Sequence, residues 1–154
     1  MDESLTFSAS TLPIVDWSNI DIMKPPLDDR DYKAYILDNG LKAVLCSDPT
    51  TNEAGACMDV HVGACSDPAK VRGLAHFNEH MLFLGTKEYP REDSFEGFLS
   101  SNGGSSNAYT ASEDTVYHFT LQGEEKFLEG LKRFGAFFTS PLFCLLYTSP
   151  SPRD

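Results

Sequence analysis

Five residues constrain this chain more than any others: His76, Phe77, Asn78, Glu79 and His80, an H-x-x-E-H pattern inside the proline-free run from Val71 to Leu84. That run reads as helix, and in a helix residues three and four apart share a face. The two imidazoles and the carboxylate then point the same way. Two imidazoles one turn apart can hold one zinc ion at about 2.0–2.1 Å each. A carboxylate beside them can take a proton from water, which is the chemistry of a metallohydrolase. The same five letters also fit an amphipathic helix with a polar face, and the pattern alone does not choose between the two.

The flanking residues do choose. The stretch Gly73-Leu74-Ala75-His76-Phe77-Asn78-Glu79-His80-Met81-Leu82-Phe83-Leu84-Gly85-Thr86-Lys87-Glu88-Tyr89-Pro90 resembles the active-site helix of the insulinase/pitrilysin family of zinc metallopeptidases, most closely its insulysin-like branch. The resemblance implies a Zn2+ cofactor held by His76 and His80, with Glu79 as catalytic base in peptide-bond hydrolysis. Asn78 stands where relatives carry Leu or Cys, between the ligands, so the departure touches no implied role.

Composition excludes other classes. A net charge of −11 with a pI near 4.6 leaves no basic stripe for nucleic acid. No stretch is long and apolar enough to suggest a membrane span. The opening Met1-Asp2-Glu3-Ser4 has neither the positive charge nor the apolar run of a secretory leader. Cys46, Cys57, Cys65 and Cys144 show no C-x-x-C spacing; the first three are expected as reduced thiols in strands or turns, consistent with a cytoplasmic protein.

Residues 1–30 carry scattered prolines and aspartates and are expected as an extended lead-in. Apolar runs on either side of Asn39-Gly40 predict a hairpin. Residues 53–63 predict a further strand with Ala56, Met58, Val60 and Val62 on one face, and with His61 on the other and outside any metal site. A second helix is expected over residues 91–100 on Phe95, Phe98 and Leu99, ended by Asn102-Gly103-Gly104. Two strands joined by Ala111-Ser112-Glu113-Asp114 follow, with His118 read as structural. The last helix, from Glu124, is expected to bury Phe127, Leu128, Leu131, Phe134, Phe137 and Phe138.

The strand Ser105-Ser106-Asn107-Ala108-Tyr109-Thr110 resembles the family's S-x-N-A-x-T strand, where substrate adds by main-chain hydrogen bonds. The resemblance implies substrate contacts from Asn107 and Ala108, and a side-chain pocket formed by Tyr109 with Phe83. The fold class expected is α+β: a mixed, largely antiparallel sheet with helices packed on one side, the N-terminal part of a peptidase catalytic domain over residues 31–143. The tail 144–154 back-translates to a transposon-library adapter and is expected to be a non-native read-through. The family's third zinc ligand, a Glu beyond the segment ending at Phe143, is then missing, and the chain alone is expected to be an inactive fragment whose partners are a peptide substrate, the remaining domains of a longer enzyme and a second copy in a homo-oligomer. The competing reading is a non-catalytic paralogue that binds peptides or pairs with an active partner.

Overall fold

The computed structural model describes residues 14–16 and 22–143. The expected tail at 144–154, and most of the expected lead-in, lie outside the described residues. The chain divides into two units between Thr51 and Asn52.

In the first unit, strands β1 (Ile14–Asp16), β2 (Asp31–Leu37) and β3 (Lys42–Ser47) form an antiparallel sheet in that order. The expected hairpin is β2–β3, with Ile36 opposite Lys42. Its turn departs from the two-residue form with positive φ at both positions: only Gly40 takes positive φ, +83°, and Asp38 to Gly40 make a three-residue loop. Such a loop closes on a left-handed glycine. The Asn39 side chain instead accepts a hydrogen bond from the Leu41 amide at 3.0 Å. None of this unit's residues from 22 to 51 is buried.

The second unit carries the helices. Its sheet has the order β4-β6-β5, built from β4 (Glu53–Val60), β5 (Ser105–Thr110) and β6 (Thr115–Gln122), all antiparallel. The α+β class holds, and every strand pairing among the described residues is antiparallel. β5 and β6 form the expected second hairpin, with Thr110 opposite Thr115. Alternation along β6 buries Thr115, Tyr117, Phe119 and Leu121 on one face, as a period of two requires. Ala56, Met58 and Val60 share that face, but Val62 lies past the end of β4 and is exposed. The chain leaves β4 there because the Val62 amide bonds back to the Val60 carbonyl, and the Ala64 and Cys65 amides donate to the Ala111 and Ser112 carbonyls of the β5–β6 turn. Gly63 makes that approach possible: a Cβ there would meet the Ala111 carbonyl oxygen and the Asp114 nitrogen at 2.6 Å.

Helices α1 (Leu74–Leu82), α2 (Ser94–Ser101) and α3 (Phe127–Thr139) cover the buried face. Leu82, Phe95, Leu99, Phe134 and Phe137 meet Tyr117, Phe119 and Leu121 in one core. The rings interlock edge to face, with Phe95 and Phe137 centroids 4.9 Å apart and Phe95 and Phe119 5.8 Å apart, the arrangement that aromatic quadrupoles favour. α3 buries Phe134 and Phe137 as expected, and Phe127 and Phe138 in part. Leu128 and Leu131 are exposed. The helix sits nearer the sheet than the apolar stripe implies: Gly130 faces it, where a Cβ would meet Leu121 Cδ1 at 2.8 Å, so the buried stripe runs through Gly130 and Ala136. On α2, Phe98 is half-buried beneath the Arg133 guanidinium, which lies 4.6 Å from its ring centroid and 4.2 Å from that of Tyr89.

α1 begins at Leu74, three residues later than the run from Val71 suggests. Gly73 takes φ +86°, a left-handed turn that stops helix from propagating backward. The free amides at that end are met from a distance: Asp67 accepts hydrogen bonds from the Gly73 amide at 2.6 Å and the Ala75 amide at 2.8 Å. A carboxylate there also meets the positive end of the helix dipole. These bonds, that of Ala75 foremost, hold the Asp67 carboxyl below its ordinary value. Its contribution is therefore present above the unfolded carboxyl's pKa, about 3.9, and is lost as pH falls through the folded value. Asp67→Ala is expected to lower the thermal unfolding midpoint at neutral pH, with the gap from wild type closing in acid; melts at several pH values check this.

Candidate active site

α1 has its hydrophobic side, Met81 and Leu82, against the core, and this rotation decides where the three polar groups fall. Glu79 shares the buried side and is 7% exposed, while His76 and His80 stand at the surface. The two Nε2 atoms face each other 3.0 Å apart, close enough to share a proton or to take one ion between them. Their rings are tilted by 40° with centroids 4.8 Å apart. Ligand atoms of His76, Glu79 and His80 all lie within 4.8 Å of one another. Imidazole nitrogen with carboxylate oxygen is a donor set that suits zinc, and the spacing admits one ion.

The Glu79 carboxylate is tied to the sheet. Its Oε2 accepts a hydrogen bond from the Thr110 hydroxyl, at the end of β5, at 2.5 Å. Burial, and secondarily the Glu79 charge, push the Tyr117 phenol up to about 12. A cavity of about 820 Å³ opens beside these groups, lined among others by His76, Glu79, Ala108, Tyr109, Thr110 and Arg72.

The cavity brings Ala108 and Tyr109 to His76 and Glu79, but Phe83 and Asn107 are elsewhere. Phe83 packs on the core, 5.1 Å from the Phe137 ring and 6.3 Å from that of Tyr117. Asn107 lies on the exposed face of β5, opposite His118, with its side chain accepting from the Ala108 amide at 2.9 Å. His61 pairs through Nδ1 with Asp114 at 2.7 Å and is outside the His76–Glu79–His80 group. Cys46, Cys57 and Cys65 are free and exposed, in β3, β4 and the short 3-10 turn Ala64–Ser66. Sequence reasoning missed Thr110 and Asp67. The S-S-N-A-Y-T strand contains Thr110, but no local signal says that its hydroxyl meets Glu79 31 positions earlier.

A family model described as Insulinase (Peptidase family M16) matches residues 42–149. The chain belongs to the insulinase family. It is 49% identical over 139 residues to human insulin-degrading enzyme, covering 90% of this chain and 13% of the relative. It is 48% identical over 125 residues to the A-factor-processing enzyme of Saccharomyces cerevisiae, covering 81% of this chain and 12% of the relative. Among solved structures, that of pitrilysin superposes with a TM-score of 0.75 at 36% identity, over 79% of this chain and 13% of that one. The chain thus spans about an eighth of the length of these relatives. No helix among the described residues is long and apolar enough to cross a membrane.

Proposed function

We propose that the protein is a zinc-dependent endopeptidase in which His76 and His80 supply two metal ligands and Glu79 is the general base. The observation that carries this reading is the convergence of two Nε2 atoms 3.0 Å apart beside a carboxylate anchored by a strand. A bound zinc ion would supply Lewis acidity toward water and the scissile carbonyl. Glu79 takes a proton from the attacking water and delivers it to the leaving amine. The family resemblance puts the third ligand, a Glu, further along the chain than Phe143, so the reading concerns the complete gene product.

The substrate proposed is a peptide, in line with relatives named for degrading insulin and for processing A-factor. Among the described residues β5 is an edge strand of its sheet, a place where a peptide backbone can pair. Ala108 and Tyr109, which border the cavity, are the contacts proposed for it, with Asn107 a further contact on the exposed face of the same strand; Phe83, packed against Phe137, is not proposed as one. The free, exposed cysteines favour a reducing compartment, and we place the protein in the cytoplasm. Incubating the complete gene product with an internally quenched peptide, with and without a zinc chelator, tests the reading. Cleavage that chelator abolishes and zinc restores is the expected result; binding without cleavage would favour the non-catalytic paralogue.

A further inference from the structure

We propose that Thr110 is a positioning residue for Glu79, holding the carboxylate in the orientation from which it acts; the inference rests on the peptidase reading above. Glu79 has three rotatable side-chain bonds, and reducing them to one conformation costs entropy. The strand supplies the restraint. Thr110 is β-branched and therefore stiff about its first side-chain torsion, and ladder pairing with Thr115 fixes its backbone. Its hydroxyl donates to Oε2 of Glu79 at 2.5 Å, leaving Oε1 as the oxygen that can face water in the cavity.

A proton count supports this direction. Thr115 is 3% exposed, so its hydroxyl needs a partner, and it finds one in the Val62 carbonyl at 2.8 Å. The Thr115 proton is thereby used. The Thr110 oxygen lies 3.4 Å from that of Thr115 but 2.5 Å from Oε2 of Glu79, and a carboxylate oxygen accepts, so the Thr110 proton is directed at Glu79. Val62, Thr115, Thr110 and Glu79 thus link the exit of β4, the start of β6, the end of β5 and helix α1. The carboxylate is referenced to the sheet as well as to its own helix. Active-site groups need to be held to about 0.5 Å, and a misplacement of about 1 Å can cost a hundredfold in rate.

The test compares Thr110→Val, which keeps shape and removes the donor, with Thr110→Ser, which keeps the donor. Both are made in the complete gene product and assayed with a quenched peptide. Thr110→Val is expected to lower kcat by roughly 10–100-fold with KM within about twofold and zinc content unchanged, the pattern of an interaction used only in the transition state. Thr110→Ser is expected to restore most of the rate. Crystal structures of the metal-free proteins give a second readout: the Glu79 carboxylate displaced by about 1 Å in the Val variant and in place in the Ser variant. An unmoved carboxylate, an unchanged kcat, or failure of Ser to rescue overturns the proposal. If the unaltered protein cleaves no peptide, the peptidase reading falls by itself, and the two crystal structures still decide whether Thr110 positions Glu79.

Discussion

Replacing Glu79 with Gln is expected to abolish peptide hydrolysis while leaving the metal bound. Gln keeps the length and one carbonyl oxygen but cannot accept and return a proton. General base catalysis contributes roughly 10²–10⁴-fold, and the loss should appear in kcat with little change in KM. The fold should survive, because the Gln oxygen can still accept the Thr110 hydroxyl that now reaches Oε2. Zinc content, measured by elemental analysis beside turnover of a quenched peptide, separates this outcome from simple loss of the ion. A Gln variant that retains full turnover would remove Glu79 from the chemistry.

The largest loss of stability is expected from Phe119→Ala. Phe119 is 1% exposed at the centre of β6, with its ring 5.8 Å from Phe95, 5.2 Å from Phe134 and 6.0 Å from Phe127. Truncation removes contacts to α2, to α3 and to the start of α3 together, and the sheet backbone cannot close the space because β6 is paired on both sides. Buried Phe→Ala changes cost about 3–5 kcal/mol, a large share of the roughly 5–15 kcal/mol that holds a domain folded. Denaturant titration followed by near-ultraviolet dichroism measures it; a cost under about 1 kcal/mol would mean that the ring does not occupy a packed core.

These two residues differ in how far they could be read from the chain. The role proposed for Glu79 rests on spacing within one helical turn and on flanks that resemble the family. The pairing that gives Phe119 three aromatic neighbours joins β6 to helices on either side of it in sequence, and no local pattern records that. The same division runs through the errors. Leu128 and Leu131 belong to the apolar stripe of α3, yet the approach of Gly130 to Leu121 turns the helix so that both face out. Val62 continues the alternation of β4, yet hydrogen bonds to the β5–β6 turn end the strand at Val60. The first turn of α1 lacks a neighbouring cap because Asp67, on the far side of a loop, supplies it.

Sequence alone determined which side chains could share a helical face, where the hairpins turn, and therefore that two imidazoles and a carboxylate would meet on one helix; these depend on backbone periods of 3.6 and 2 that act over a few residues. Tertiary structure alone decided that Glu79 is the buried member of the three, that Thr110 holds it, and that the cavity borders Tyr109 and not Phe83. Those outcomes depend on how α1 is rotated against β5 and β6, which is set by the packing of side chains far apart in the chain.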